Sequence, residues 1–321
     1  MKFVGSWRRC LCAALGSWLL PVAMAQGPVD FGAQPLPATW LAPALSRSVS
    51  FDMDSRHTGQ RYRVVLGLPH KAAPSGGYPV LWALDGAASF PLMEVARPRP
   101  PSAGESAQWR QKVGEEPAGL VVAVGYASGV PFDVHARAKD YTPVVTGQTG
   151  DAFSGEHGGA EAFLRFLTLE LRPLLAPHFA MHPQRHTLFG FSYGGLFTLH
   201  TLSTQPQHFQ RYWASSPSLW FGEHHVMRGL PQRLAALSVQ PAVRVMVTVG
   251  QDEQFPASFA SAEVQKKLQE RTMVDNAQRF VQIAADTMPA WQLQFQQVPG
   301  HDHQDMLFHG ARRVLEFAFS P

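Results

Sequence analysis

Residues 187–200 read "TLFGFSYGGLFTLH", and the serine in this stretch has surroundings that indicate chemistry. Ser192 lies between Gly190 and Gly194, with Gly195 directly behind, which gives the pattern G-x-S-x-G. Glycines are needed where a strand turns sharply into a helix, because a β-carbon would collide with the neighbouring backbone. An apolar run precedes the pattern and a helical run follows it. The spacing therefore predicts a nucleophilic serine at a strand-to-helix turn.

A nucleophilic serine needs a base, and the base needs an acid that orients it. In the chain order of α/β hydrolases both partners follow the serine, at the carboxyl ends of later strands. The run "VRVMVTVG" ends in "QDEQ", which offers Asp252 and Glu253, and the run "WQLQFQQV" ends in "PGHDHQ", which offers His301 and His303. We predict His303 as the base and leave His301 as a pocket or solvent residue. For the acid we favour Glu253, with Asp252 as the alternative.

Acyl transfer also needs two backbone N–H groups that bind the developing oxyanion. One is expected from Tyr193, which follows the nucleophile, and the other from a loop after an early strand. The segment "LWALDGAASF" leaves its strand through Asp85 and Gly86, where the backbone can approach a substrate closely. We therefore predict that Gly86 or Ala87 completes the oxyanion hole.

The elements that must position these residues are apolar runs separated by helical or irregular segments. Continuous apolar strands of this kind are typical of a parallel sheet buried on both faces. We predict an α/β-hydrolase fold, with a doubly wound, mostly parallel sheet and helices on both faces. The predicted strands cover 62–69, 78–86, 119–126, 185–192, 243–250 and 291–300; the predicted helices cover 159–179, the run after Ser192 and 261–286; 95–118 is read as an exposed loop and 126–159 as a long loop that walls the substrate.

The first 25 residues have the composition of a secretory signal peptide, with Lys2, Arg8 and Arg9 before an apolar run and "AMA" at its end. We predict cleavage before Gln26, a single hydrolase domain over 26–321 and a periplasmic or secreted protein without stable membrane insertion. Cleavage would remove both cysteines and bring the formal charge from +3 to zero. A neutral chain without cysteine gives no support for nucleic-acid binding, thiol catalysis or disulfides.

Seven segments together resemble the esterase D-like α/β hydrolases, in particular siderophore esterases of the IroE and Fes kind. They are "LWALDGAASF", "RAKDYTP", "GGAEAFLRFLTLELRPLL", "GFSYGGLFTLHTL", "ASSPSLWF", "VGQDEQ" and "PGHDH". The resemblance implies Ser192 as nucleophile and His303 as base, and it includes members that are closer to a Ser-His dyad. It also implies that Arg137 shapes the substrate side of the cleft, with an Arg-Asp pair that pins the long loop as the alternative. We predict Asp85, Arg137 and Trp220 as substrate-binding residues, since cationic and aromatic groups suit catecholate siderophores.

These observations predict an exported serine esterase that acts on a small-molecule ester, with a siderophore trilactone as the leading substrate class. A general carboxylesterase or an acyltransferase of the same fold is the alternative within acyl chemistry. A ligand-binding protein that keeps the hydrolase shell without catalysis is the alternative from another class. No cofactor and no metal is implied, and the sequence leaves the oligomeric state unspecified.

Overall fold

The computed structural model describes residues 45, 47–97, 104–115, 118–239, 241–256 and 261–321. From Leu45 onwards the described residues belong to one unit. The predicted signal peptide, residues 1–25, lies outside them. No helix within the described ranges is both long and apolar enough to cross a membrane.

The centre of the fold is one eight-stranded sheet in the order β1-β2-β4-β3-β5-β6-β7-β8. The β1–β2 and β2–β4 pairs are antiparallel, and every later pair is parallel. The middle strands are buried on both faces, as their unbroken apolar sequences require. The strands are β1 Ser48–Asp54, β2 Arg61–Gly67, β3 Tyr78–Ala83, β4 Leu120–Tyr126, β5 Met181–Phe191, β6 Arg211–Ser215, β7 Arg244–Gly250 and β8 Gln292–Val298.

Helices cover both faces of the sheet, which makes the fold a mostly parallel α/β sandwich. The helices are α1 Gly86–Ala96, α2 Ala107–Glu115, α3 Val134–Tyr141, α4 Ala160–Arg165, α5 Arg172–Leu175, α6 Tyr193–Thr204, α7 Phe221–His224, α8 Leu230–Ala235, α9 Ala262–Arg271, α10 Met273–Thr287 and α11 His303–Phe319. A π-helical turn, Phe166–Leu171, joins α4 to α5, and 3-10 turns occupy Pro206–His208 and Gln251–Glu253.

Alternate residues of each strand pack on opposite faces of the sheet. In β3, Leu81 and Ala83 pack with α1 and α11, whereas Val80 and Trp82 belong to the larger cluster that contains α3, α4, α6, α8 and α10. This alternation follows from the two-residue period of a strand. The carboxyl ends of the parallel strands are thereby fixed at one edge of the sheet.

The predicted fold class is confirmed, and the differences are local. Strands β1 and β6 were not predicted, and the polar segment 95–118 contains α2 instead of being loop throughout. The predicted helix over 261–286 is two helices, because Thr272 adopts a left-handed conformation (φ 44°) between α9 and α10. The long segment 126–159 contains α3.

Candidate active site

Ser192 occupies the turn between β5 and α6 and has an unusual backbone conformation, with φ 59° and ψ −116°. Its N–H donates to the Ser215 carbonyl (2.9 Å), which ties the turn to β6. A β-carbon on Gly190 would lie only 2.0 Å from the Gly194 carbonyl oxygen, so the turn closes only with glycine there. Backbone strain of this kind is typical of functional sites, since surrounding structure must hold it.

The side chains of Ser192, His303 and Glu253 form one chain of hydrogen bonds. Ser192 Oγ lies 3.0 Å from His303 Nε2, and His303 Nδ1 lies 2.5 Å from Glu253 Oε2. The Glu253 side chain is only 1% exposed, whereas that of His303 is 39% exposed. Such an arrangement can move a proton from the hydroxyl to the imidazole while the carboxylate holds the ring.

Two hydrogen bonds to Oε1 of Glu253 hold its carboxylate in place. The Ser216 hydroxyl (2.5 Å) and the Gly250 N–H (2.8 Å) both donate to Oε1, which leaves Oε2 for His303. The neighbouring Asp252 also lines the cavity, but no hydrogen bond joins its carboxylate to His303 in the described residues. Of the two acids that the sequence offers, the structure places Glu253 against the imidazole.

The turn after β7 and the loop after β8 meet through their backbones. The Asp252 N–H donates to the His301 carbonyl (3.0 Å), and a β-carbon on Gly250 would lie 2.2 Å from that same oxygen. His303 is the first residue of α11, and the Asp302 carboxylate caps this helix by accepting from the Gln304 N–H (2.8 Å). The cap and the close approach fix the position from which His303 reaches Ser192.

The amides predicted for the oxyanion hole all lie in first turns of helices. Gly86 and Ala87 begin α1, directly after Asp85 in a left-handed conformation (φ 50°), and Tyr193 begins α6. The first N–H groups of a helix have no acceptor within the helix, so they are available to a bound oxyanion.

Arg137 and Asp85 form a buried ion pair beneath these amides. Arg137 Nε and Nη2 donate to Asp85 Oδ1 (3.0 Å) and Oδ2 (2.9 Å), and Nη2 also donates to the Phe191 carbonyl (3.2 Å). Burial lowers the pKa of Arg137, but the Asp85 carboxylate outweighs it and holds this pKa above its usual value. Arg137 thus connects the loop after β3 to the residue before Ser192.

A cavity of about 330 Å³ opens in front of Ser192. Segment 126–159 contributes Val134, Arg137, Asp151 and Phe153 to its lining, and α9 and α10 contribute Leu268, Arg271 and Met273. Trp220 lines the cavity with Ser218, whose hydroxyl lies 3.5 Å from that of Ser192. Asp85, in contrast, is 3% exposed and is not among the described residues that line the cavity.

One carboxylate in the cavity wall is held ionised by its neighbours. Burial raises the pKa of Asp151, but hydrogen bonds from the Phe153 N–H, His157 and Tyr193 outweigh burial and keep this pKa below its usual value. Burial and the same carboxylate raise the pKa of the Tyr193 hydroxyl. No cluster of three or more His, Cys, Asp or Glu side chains that could hold a metal ion occurs among the described residues.

Among the site residues that the sequence did not identify are Ser216, Ser218, Asp151 and Arg271. The two serines lie in "ASSPSLWF", a segment that carried the family resemblance and so offered a signal. Asp151 lies in the segment predicted to wall the substrate, but Arg271 lies on a helix whose sequence gives no indication of a pocket.

Comparison with known proteins places this arrangement in a family. The model of the Esterase family matches residues 55–301. The chain belongs to the Esterase family. This esterase is 30% identical to the ferri-bacillibactin esterase BesA of Bacillus subtilis over 280 residues, which cover 84% of this chain and 88% of BesA. It is 33% identical over 173 residues to the apo-salmochelin esterase of Escherichia coli, which cover 53% of this chain and 50% of that relative.

Solved structures share the fold of this chain. The esterase superposes on the BES protein of Bacillus cereus with a TM-score of 0.69 at 26% identity, covering 88% of this chain and 99% of that one. The enterobactin and salmochelin hydrolase IroE has the same fold, with a TM-score of 0.61 at 24% identity over 87% of this chain and 98% of that one. With the family and the two relatives named above, this fold makes the protein an α/β hydrolase that acts on ester bonds.

Proposed function

We propose that this esterase cleaves carboxylic esters through an acyl-enzyme, with Ser192 as the nucleophile, His303 as the general base and Glu253 as the orienting acid. The observation that carries the proposal is the continuous hydrogen-bond chain from Glu253 through His303 to Ser192. Each member comes from a different strand end, so the chain of contacts is a product of the fold and not of sequence proximity.

The reaction follows from these contacts. Ser192 Oγ attacks the ester carbonyl carbon while its proton passes to His303 Nε2, and Glu253 stabilises the imidazolium through Nδ1–H. The tetrahedral intermediate collapses when the same proton passes to the departing alkoxide, which leaves the acyl group on Ser192. Water then attacks the acyl-enzyme while His303 takes one of its protons. The bond between the carbonyl carbon and Ser192 Oγ breaks, the proton passes from His303 to Oγ, and the carboxylic acid leaves.

The oxyanion of each tetrahedral intermediate is assigned to the N–H of Tyr193 and that of Gly86 or Ala87. The two helix starts that carry these amides lie close together, since a β-carbon on Gly194 would lie 3.6 Å from Asp85 Oδ2. Donors held in a preformed position cost no reorganisation during the reaction. The Arg137–Asp85 pair supports this assignment, because it connects both helix starts.

For the substrate we propose a siderophore ester of small-molecule size. The relatives named above are a ferri-bacillibactin esterase and an apo-salmochelin esterase, and a third relative, 30% identical over 282 residues, is a triacetylfusarinine C esterase of Aspergillus fumigatus. A cavity lined by aromatic side chains and a guanidinium supports this class. Equal kcat/KM for a siderophore trilactone and for p-nitrophenyl butyrate would favour the general carboxylesterase instead.

The nucleophile can be tested by labelling. A fluorophosphonate should modify Ser192 of the purified protein, and Ser192→Ala should lose both the label and the hydrolysis of p-nitrophenyl butyrate. Ser218→Ala is the matched control, since its hydroxyl lies in the same cavity 3.5 Å away, and it should keep the label on Ser192. Labelling of Ser218, or full activity of Ser192→Ala, would contradict the proposal.

We also propose that the protein is exported, with residues 1–25 as a signal peptide removed before Gln26. The composition of this segment supports the proposal. The amino-terminal sequence of protein recovered from the periplasm or medium should begin at Gln26. A chain recovered there with Met1 intact would contradict cleavage.

A further inference from the structure

Arg137 and Arg271 line the cavity in front of Ser192, and they differ in whether a carboxylate neutralises the guanidinium charge. Arg137 is only 8% exposed, and its Nε and Nη2 donate to the two carboxylate oxygens of Asp85. Its charge is therefore compensated before any substrate arrives. The charge that the cavity offers to a bound molecule must come from the other arginine, Arg271.

Arg271 is the last residue of α9 and stacks on an aromatic ring. Its guanidinium carbon lies 4.4 Å from the centroid of the Trp220 ring. Within the described ranges no carboxylate lies in ion-pairing distance of this guanidinium, and Arg271 contributes to the cavity wall. Burial lowers the pKa of Arg271, against the opposing effects of Tyr193, Asp151 and Glu253, but a guanidinium keeps its proton at neutral pH.

Trp220 serves as a rigid support for this cation. The backbone of segment 126–159 packs against the indole at Gly150, where an added β-carbon would lie 3.3 Å from the ring, and the Tyr193 ring lies 6.0 Å from it. A guanidinium stacked on a fixed ring loses less conformational freedom when it binds a ligand than a free side chain would.

Asp151, the carboxylate in the cavity wall that could compete with a ligand for Arg271, already has hydrogen-bond partners. Asp151 accepts from the Phe153 N–H (2.8 Å) and lies 3.0 Å from His157 Nε2. Three donors share its charge when the Tyr193 hydroxyl is included. The hydrogen-bond capacity of Arg271 toward the cavity is consequently not consumed by this neighbour.

We propose that Arg271, supported by Trp220, binds an anionic group of the substrate away from the scissile bond, so that this esterase prefers esters that carry a negative charge. The inference rests on the proposed function of Ser192 and names the substrate class of that site. A planar guanidinium suits a carboxylate or phenolate, because its N–H groups can donate in pairs to such an anion.

The experiment compares charged and neutral esters of matched shape. One pair places the charge on the acyl side: mono-p-nitrophenyl suberate against p-nitrophenyl octanoate. A second pair places it on the leaving group: 3-carboxy-4-nitrophenyl butyrate against 4-nitrophenyl butyrate. Arg271→Gln should lower the ratio of kcat/KM for charged over neutral ester by about 10- to 100-fold in at least one pair.

One further variant separates the charge of the side chain from its geometry, and another serves as a control. Arg271→Lys keeps the charge without the planar paired donors, so its ratio should fall between those of the wild type and Arg271→Gln. Arg279→Gln makes the same change at an exposed position of α10 and should leave both ratios as in the wild type. Added salt should lower the wild-type ratio more than that of Arg271→Gln.

The outcomes distinguish this inference from the proposed function. Ser192-dependent hydrolysis of the neutral esters, with both ratios unchanged in Arg271→Gln, would overturn the inference and leave the proposed function standing. No Ser192-dependent hydrolysis of any of the four esters would overturn the proposed function and the inference with it.

Discussion

The two sides of the cavity are held in opposite ways. On one side, the carboxyl ends of β5, β7 and β8 carry Ser192, Glu253 and His303, and backbone contacts lock these ends together. On the other side, the outer part of the cavity wall, residues 144–159 and α9, is loosely attached. Helix α9 has no buried residue, and Lys267 contacts Phe153 only as a cation 6.0 Å from the ring centroid.

This difference separates reaction geometry from substrate choice. The strand ends cannot shift without disturbing a sheet that is buried on both faces, so the hydrogen-bond chain keeps its distances. This outer part of the wall can change its side chains at little cost to folding, as loops on a rigid scaffold do. We expect substitutions on the strand side to have large effects on rate, and those on the wall to change mainly which ester is preferred.

Glu253→Gln tests the strand side with the largest expected effect. The Gly250 N–H requires an acceptor, so the amide oxygen of the new side chain must take the Oε1 position and its NH₂ must face His303 Nδ1. That NH₂ favours the tautomer with Nδ1 as acceptor and with the proton on Nε2, where it cannot accept from Ser192. We expect kcat to fall by about 10³- to 10⁴-fold, measured on p-nitrophenyl butyrate.

Asp252→Asn is the matched control for this prediction. It changes an adjacent acid of the same turn whose carboxylate has no bond to His303 among the described contacts, so kcat should stay within about threefold of the wild type. If Asp252→Asn lost more activity than Glu253→Gln, the assignment of the acid would be reversed.

The signals for the strand side of the cavity are local in the sequence. The pattern around Ser192 is contiguous, and His303 follows its strand within a few residues. Strand β6, "RYWAS", was missed because five residues carry too little periodicity to be recognised. The choice between Asp252 and Glu253 required the structure, since neighbouring residues of one 3-10 turn point in different directions.

The sequence predicted the wall only in outline. It identified 126–159 as a substrate wall, but no local pattern links Arg271 to Trp220 or Ser216 to Glu253. Arg137 and Asp85 were both expected on the substrate side; Arg137 does line the cavity, whereas Asp85 is buried and pairs with it. Contacts between distant segments depend on how the strands are ordered, and this order is not written in any one stretch of sequence.

Arg137→Met tests the ion pair that connects the cavity wall to the strand side. The substitution would leave the Asp85 carboxylate buried without its partner, and breaking a buried pair in this way costs about 3 to 5 kcal/mol. We expect the free energy of unfolding in urea to fall by that amount. Asp85→Asn added to Arg137→Met should restore part of it; no recovery would show that packing, and not the ion pair, makes the connection.

Asp140 anchors α3, the helical part of the wall, to the core. Burial raises its pKa from 3.8 to about 6, against the hydrogen bond donated by the Tyr62 hydroxyl (2.6 Å). The folded state thus binds the proton more tightly than the unfolded state, so the stability from this group is complete at low pH and is lost as the pH rises from about 4 through 6. The loss is about 3 kcal/mol.

Asp140→Asn removes this titration and keeps an acceptor for Tyr62. The free energy of unfolding of the variant minus that of the wild type should therefore increase by about 2 kcal/mol between pH 4 and pH 7. Denaturant unfolding at a series of pH values measures this difference. A difference that is constant over this range would mean that Asp140 has the same pKa in the folded and the unfolded state.

Lys267→Ala tests the loosest contact and should have the smallest effect. Lys267 is exposed, and its ammonium group contacts the Phe153 ring at the protein surface, where such a contact is weak. Alanine also has a high helix propensity, so the substitution does not weaken α9. The free energy of unfolding should change by less than about 1 kcal/mol. The control is Lys266→Ala, which removes the neighbouring exposed lysine, 3.8 Å from Glu270, and the same small change is expected there. A loss several times larger at Lys267 alone would mean that α9 is held as firmly as the strand ends, and the contrast between the two sides of the cavity would fail. That result would also predict that substitutions along α9 alter the rate for every ester equally, since a firmly held wall would transmit its displacement to Ser192.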